Sequence, residues 1–329
     1  MEKRIKERFS EQILHKVMES YCIEAEHLRM LDGFESFIYQ YDCDDKTYIL
    51  RIGHSLRRSE NLIRGEVDWI NYLYQDGASV AKAIQTINGE LVVPVADGQG
   101  GYFLATAFEK AAGKPLSKEQ WGAALFERYG RLIGRMHALT KSYRPANPAW
   151  KRPEWDDTEI LEAEIWLPDS ESLVLEKYLN LKSHLGSLHK SIESYGLIHQ
   201  DAHAGNFLVD DEGVITLFDF DDCSYSWFMN DIAIVLFYIA LGAEDQAAFT
   251  RDFMTYFLRG YQVENQLDEG WLREIPSFLK LREIDLYAVI HRSFDVENIK
   301  DPWVAMFMEK RKTRIENEIP VIDFNFRTL

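Results

Sequence analysis

Apolar positions along this chain recur with two different periods, and the changes of period divide it into elements. From Ser10 to Tyr21, Ile13, Leu14, Val17 and Met18 fall on one face, which predicts a short amphipathic helix. Extended, β-branched runs follow at Leu31 to Tyr41, broken by a turn containing Gly33, and at Thr47 to Ile52. Lys46 is assigned to the turn before the second run. Helical spacing returns from Asn61 to Tyr74, with Ile63, Trp69, Ile70 and Leu73 turned to a core. Tyr102 to Phe108 reads as another strand, and Lys110 to Pro115 as a Gly- and Pro-containing link. Beyond the link the pattern is mostly helical. Ser117-x-x-Gln120 is a capping-box signature, and Trp121, Leu125, Leu132 and Met136 recur behind it up to His137, which reads as structural. Ala146 to Asp157 is rich in Pro, Trp and charge and reads as an inserted loop. Ala233 to Ala240 reads as a buried helix, and Phe249 to Tyr261 and Leu272 to His291 as amphipathic ones.

One stretch departs from both periods. Phe207-Leu208-Val209 and Val214 to Phe218 are apolar runs around the acidic turn Asp210-Asp211-Glu212-Gly213, which predicts a β-hairpin. Its flanks carry chemistry. His199, Asp201 and Asn206 precede it in the pattern H-x-D-x-x-x-x-N, and Phe218-Asp219-Phe220 closes it. A hairpin returns the chain toward its start, so Asn206 and Asp219 can serve one cation. Phosphoryl transfer needs such a set: one carboxylate to orient an attacking hydroxyl, and an amide and a second carboxylate for magnesium. Magnesium takes few protein oxygens, with phosphate and water supplying the rest. His199 and His203 stand four apart, but a zinc-protease helix needs Glu where Gln200 stands. Asp221 and Asp222 read as an acidic, solvated turn.

Composition narrows the classes. The 329 residues are 46% hydrophobic and 13% aromatic, enough for one two-lobed enzyme or two domains. The net charge of −17 disfavours nucleic acid and anionic membranes as partners. It suits solubility, and it would also attract a cationic acceptor. Cys22, Cys43 and Cys223 lack metal or disulfide spacing, so a reducing cytoplasm is expected. The charged N-terminus has no apolar core of the signal-peptide kind, and the apolar run near Ile232 to Leu241 is too short to span a bilayer.

The motifs resemble those of the aminoglycoside phosphotransferase and choline kinase family, the small-molecule branch of the protein-kinase-like fold. That family shows H-x-D-x-H-x-G-N, then I-D-F/W-D-D/E, then D-L/I-A. Here these stand as His199 to Asn206, Phe218 to Asp222, and Asp231-Ile232-Ala233. There is no A-P-E segment and no long activation loop, so the chain is unlike a protein kinase. The resemblance implies an α+β, two-lobed fold. An antiparallel-sheet nucleotide-binding lobe would span 1–108, and a larger, mostly helical catalytic and acceptor lobe 109–329.

The resemblance also implies roles. ATP and Mg2+ would be the cofactors, with Asp201 as catalytic carboxylate and Asn206 and Asp219 on the metal. The phosphate-covering loop falls at Gly33, Phe34 and Ser36, with one glycine where kinases often carry three. Arg51 stands where relatives place a phosphate-binding lysine, and Glu66 is its expected partner. Arginine would meet phosphate as a planar fork rather than a point charge. The end of the strand at Ala107 and Phe108 would meet the adenine edge. The acceptor would be a small hydroxyl compound, with homoserine or a similar amino alcohol as first choice. An aminoglycoside, or a nucleotide-binding regulator without turnover, is the alternative. Asp221, Asp222, Glu154, Asp156 and Asp157 are candidate amine partners, and Trp155 and Trp227 candidate stacking surfaces or packing residues.

Overall fold

The computed structural model describes residues 2–117, 120–157 and 162–329. Two compact units emerge. The first comprises 1–114, 142–152 and 207–221, and the second 115–141, 153–206 and 222–329.

In the first unit a short helix α1 (Lys3–Lys6) precedes α2 (Glu11–Tyr21). Six strands then form one antiparallel sheet: β1 (Leu28–Leu31), β2 (Phe37–Cys43), β3 (Lys46–His54), β4 (Ala83–Ile84), β5 (Val93–Ala96) and β6 (Tyr102–Glu109). Their order is β1-β2-β3-β6-β4, with β5 also paired to β6. Helix α3 (Glu60–Gln75) follows β3, capped by Ser59, whose hydroxyl accepts from Leu62 N–H.

The two-residue period of the strands sorts side chains to opposite faces. Leu50 and Ile52 join Phe103 and Ala105 in a core completed by Ile13, Val17 and Tyr21 of α2. Leu104 instead joins Ile63 and Val67 of α3. Arg51, between Leu50 and Ile52, therefore faces α3.

One local expectation is corrected. The β2–β3 turn is Asp44-Asp45, both at positive φ, so Lys46 already belongs to β3, pairs with Cys43 and reaches Glu109 at 3.6 Å. The capping-box contact itself forms, ahead of the long helix. Ser117 N–H donates to Gln120 Oε1 at 2.8 Å, but α4 (Ala123–Thr140) begins after Gly122. Lys118 and Glu119, inside that motif, lie outside the described residues.

The hairpin forms from β8 (Phe207–Val209) and β9 (Ile215–Leu217), paired Phe207 to Leu217. Asp210 Oδ1 accepts from the backbone of Glu212 and Val214 and holds the turn. The hairpin belongs to the first unit. Leu217 exchanges backbone hydrogen bonds with Ser79 and Ala81, and Val209 with Lys114.

The second unit is mostly helical. Its helices are α4, α5 (Glu162–Trp166), α6 (Ser172–Gly186), α7 (Phe228–Ala240), α8 (Gln246–Glu264), α9 (Ile275–Ser293), α10 (Pro302–Met308) and α11 (Arg311–Glu316). Strands β7 (Tyr195–Ile198) and β10 (Ser224–Trp227) form an antiparallel pair. Helices α4 and α8 approach closely through glycines. A Cβ on Gly130 would lie 1.9 Å from Phe257 O, and one on Gly260 only 1.8 Å from Glu127 O. Among the described residues no helix is long and apolar enough to cross a membrane.

Candidate active site

In the second unit, β7 delivers the chain into the motif loop, and Asp231 on α7 organises it. Asp231 Oδ2 accepts from His199 N–H at 3.0 Å and Oδ1 from Gln200 N–H at 2.8 Å. Its other partner is His137 Nε2 at 3.1 Å, whose Nδ1 meets Tyr261 Oη at 2.8 Å. Asn265 donates to that same hydroxyl, so the hydroxyl proton is directed at His137 Nδ1 and the His137 Nε2 proton at Asp231. Burial opposes ionisation of Asp231, but these donors keep its pKa below the ordinary carboxylate value. His137 is thus structural, and Asp231 of the D-L/I-A motif anchors the loop. Gln200 adopts the left-handed conformation, φ 71°, which these contacts hold in place.

His199 is fully buried, and its Nδ1 accepts from Asp201 N–H at 3.2 Å, so it props the loop. Asp201 is gripped from both sides. Oδ1 accepts from Arg282 Nη2 on α9, and Oδ2 accepts from Asn206 Nδ2 at 3.0 Å. Asn206 Nδ2 also donates to Asp201 O at 2.8 Å. Both bonds use the amide nitrogen, so its oxygen, the atom a cation takes, is outside them. Gly205 N–H donates to His203 Nδ1, which places the proton of a neutral imidazole on Nε2, 3.4 Å from Asp201 Oδ2. Burial would raise the Asp201 pKa, but Arg282 and then His203 outweigh it and hold the carboxyl at about 2.

In the first unit, Arg51 and Glu66 form a two-pronged pair, Nη1–Oε1 2.8 Å and Nη2–Oε2 2.5 Å. Burial would lower the Arg51 pKa, but Glu66 and then Asp221 hold it protonated. Its guanidinium lies over the Phe108 ring, 5.2 Å from the centroid. Asp219 Oδ1 and Asp221 Oδ1 both stand 3.9 Å from Arg51 Nη1. Asp219 is exposed and left-handed, φ 63°.

The loop with Gly33, Phe34 and Ser36 joins β1 to β2. A Cβ on Gly33 would lie 2.3 Å from Ser36 O, so the close turn requires glycine. Phe34 is exposed, and Ser36 lines a small cavity with Arg51, Arg57, Arg58 and Asp221. Glu35 pairs with Arg57 Nε at 3.2 Å. Ala107 is buried and pairs with Leu50 and Ile84 in the sheet, while half-buried Phe108 pairs with Ile49 and Ala83.

Several outlying candidates are corrected. Asp221 is no solvated turn. It is buried and bonded to Arg57, with Arg58 Nε at 3.6 Å, and these cations push its pKa well down against the effect of burial. Buried Arg152 donates to its backbone carbonyl at 2.6 Å. Trp155 and Trp227 are core residues in edge contact at 5.2 Å, not exposed stacking surfaces. Glu154 accepts from Tyr195 Oη at 2.5 Å, and Asp157 accepts from Glu154 N–H. The segment 146–157 is shared between the units.

Sequence reasoning missed Arg282, Tyr238, Arg57 and Arg58. Arg282 also donates to Tyr238 Oη at 2.6 Å, and its guanidinium lies over the Tyr238 ring. No local signal marked Arg282, which stands among the charged residues Lys280, Glu283 and Asp285 of α9.

Residues 30–269 match the phosphotransferase enzyme family. The chain belongs to that family. As a member it is a small-molecule kinase, with the kinase-like α+β fold. It is 42% identical over 332 residues to an amicoumacin kinase of Bacillus subtilis (strain 168), an alignment covering 99% of this chain and 98% of that one. The solved structure of amicoumacin kinase hAmiN in complex with AMP-PNP, Ca2+ and Ami matches with a TM-score of 0.94 at 40% identity, covering 100% of this chain and 99% of that one. A microcompartment-associated aminopropanol kinase shares the fold at a TM-score of 0.73 and 20% identity, over 93% and 95% of the two chains.

Proposed function

We propose that this phosphotransferase moves the γ-phosphoryl group of ATP to a hydroxyl of amicoumacin or a closely similar molecule. The observation that carries the acceptor is identity of 42% with an amicoumacin kinase across nearly the full length of both chains. Homoserine gives way to amicoumacin as first choice, since no comparison favours it. The regulatory alternative loses its ground too, because Arg51 sits in a well-formed ion pair with Glu66 inside a family of enzymes.

Asp201 orients the acceptor hydroxyl. The hydroxyl oxygen bonds to the γ-phosphorus, the bond to the β–γ bridging oxygen breaks, and ADP leaves with the electron pair. The hydroxyl proton passes to the Asp201 carboxylate. A carboxyl held at about 2 is a weak base, so that proton arrives late, as the loose transition state collapses. Arg51, steadied by Glu66, contacts phosphate oxygens. The Gly33–Ser36 loop covers them with backbone N–H groups and the Ser36 hydroxyl. The strand end at Ala107 and Phe108 meets the base. Asn206 through its amide oxygen and Asp219 through its exposed carboxylate offer hard oxygen donors, which suit Mg2+. The ion supplies charge neutralisation on the phosphates. The relative's complex with AMP-PNP and Ca2+ supports a nucleotide triphosphate and a divalent ion in this role. The spacing of Cys22, Cys43 and Cys223, which suits neither a metal site nor a disulfide framework, supports action in a reducing cytoplasm.

The test is ADP release from ATP and Mg2+ with amicoumacin, homoserine and an aminoglycoside as separate acceptors. Release should depend on amicoumacin and vanish in Asp201→Ala. Release stimulated only by homoserine or the aminoglycoside would overturn the acceptor. No stimulation by any of them, with ATP unbound, would overturn the kinase reading.

A further inference from the structure

The second unit holds a cation that the family motifs do not contain. Arg282 comes from α9, 81 positions after Asp201, and its Nη2 is bonded to both Asp201 Oδ1 and Tyr238 Oη. Its Nε is buried without a hydrogen-bond acceptor among the described residues. A surface arginine would turn to satisfy that donor. This one is held instead by the Tyr238 ring beneath it and by the carboxylate ahead.

The lone pairs of Asp201 say what the placement does. A carboxylate oxygen accepts about two hydrogen bonds in its plane. Oδ2 takes Asn206 Nδ2 and faces His203 Nε2. Oδ1 takes only Arg282 Nη2 among the described residues. An incoming hydroxyl therefore finds its acceptor at Oδ1, beside the guanidinium. The oxygen attacking phosphorus, and the phosphoryl group it receives, are brought next to Arg282.

We propose that Arg282 is a positioning residue for the transfer step: it fixes Asp201 so that Oδ1 receives the acceptor hydroxyl, and it places a positive charge beside the phosphoryl group as it arrives. This rests on the kinase reading above and names a residue outside its motifs. Lysine at 282 keeps the charge but loses the fork. Glutamine keeps a donor but loses the charge.

The experiment measures steady-state kinetics with Mg-ATP and amicoumacin for wild type, Arg282→Lys, Arg282→Gln, Arg282→Ala and Tyr238→Phe, with Asp201→Ala alongside. Thermal unfolding is followed for each. Arg282→Gln should lower kcat by about 10²–10³-fold, the scale of losing one preorganised electrostatic group, with the KM for ATP within about twofold. Arg282→Lys should recover at least about tenfold of that loss, and Tyr238→Phe should cost only a few-fold. Millimolar guanidinium should partly restore Arg282→Ala, an effect that a merely structural role would not give. The inference is overturned if Arg282→Gln keeps kcat within about threefold of wild type while Asp201→Ala is inactive. It is also overturned if Lys and Gln variants lose activity and melting temperature alike and guanidinium restores nothing. If Arg282→Gln does not fold, Tyr238→Phe and Arg282→Lys still decide, since a lysine variant as inactive as Asp201→Ala at native stability contradicts a role for charge. Wild type inactive on amicoumacin would instead remove the acceptor assignment, and the same variants are then compared with the acceptor that does stimulate ADP release.

Discussion

The Arg51–Glu66 pair of the first unit and the Asp201–Arg282 pair of the second use the same two groups in opposite senses. In the proposed mechanism the arginine of the first faces the chemistry and its carboxylate is the prop, whereas in the second the carboxylate works and the arginine is the prop. Their geometry differs accordingly. Glu66 has no exposed side-chain surface and binds Arg51 through both oxygens. Asp201 and Arg282 keep 20% and 16% of their side-chain surface and meet through one prong. A fully buried pair must satisfy both partners, because an uncompensated buried charge is costly. A partly open pair can leave a lone pair for substrate. Depth of burial thus separates the pair that holds a cation still from the pair to which the proposed mechanism gives the proton transfer.

Removing the working carboxylate should give the largest effect. Asp201→Ala is expected to lower kcat by about 10³-fold or more, with ATP affinity in a binding titration changed by less than about threefold. A comparable loss of ATP affinity would mean that Asp201 serves the nucleotide rather than the acceptor. Next comes the buried prop. Glu66→Ala leaves buried Arg51 without its two-pronged partner, with only Asp219 and Asp221 at 3.9 Å, and should cost about 3 kcal/mol in urea unfolding and weaken ATP binding about tenfold. If ATP binding is unchanged, Arg51 is scaffolding only.

A pH effect of about 2 kcal/mol should follow from Asp201. Its folded pKa of about 2 lies below the ordinary unfolded value of about 3.9, so the charged form is favoured by folding. The stabilisation is full above pH ~4 and is lost as pH falls through ~2. The difference in unfolding free energy between wild type and Asp201→Asn should shrink over that window. A difference flat with pH would contradict the depressed pKa. The smallest effect belongs to Lys46→Ala. Its pair with Glu109 is 3.6 Å long and mostly exposed, so stability should change by less than about 0.5 kcal/mol and kcat not at all. A large loss of ATP affinity would instead make Lys46 the phosphate residue.

Legibility in the sequence followed contact range. His199, Asp201 and Asn206 lie within eight consecutive positions, and the hairpin of β8 and β9 follows them directly, so their local spacing carried the reading. Helices α2 and α3 of the first unit were legible from period, as Ile63 and Trp69 of α3 show. Arg282 was not, because a contact 81 positions away depends on where α9 packs, and no local pattern encodes that. Asp221 was misread for the same reason. Its four-residue neighbourhood is acidic, but the arginine that buries it lies 164 positions earlier. Trp155 and Trp227 had the composition of a ligand-stacking surface, and only tertiary packing shows them facing each other.

The most direct measurement is phosphorus NMR of amicoumacin incubated with Mg-ATP and the protein. A new phosphomonoester resonance should appear with wild type and be absent with Asp201→Ala that still binds ATP. ADP and inorganic phosphate with the acceptor unchanged would contradict transfer to a small-molecule hydroxyl oriented by Asp201.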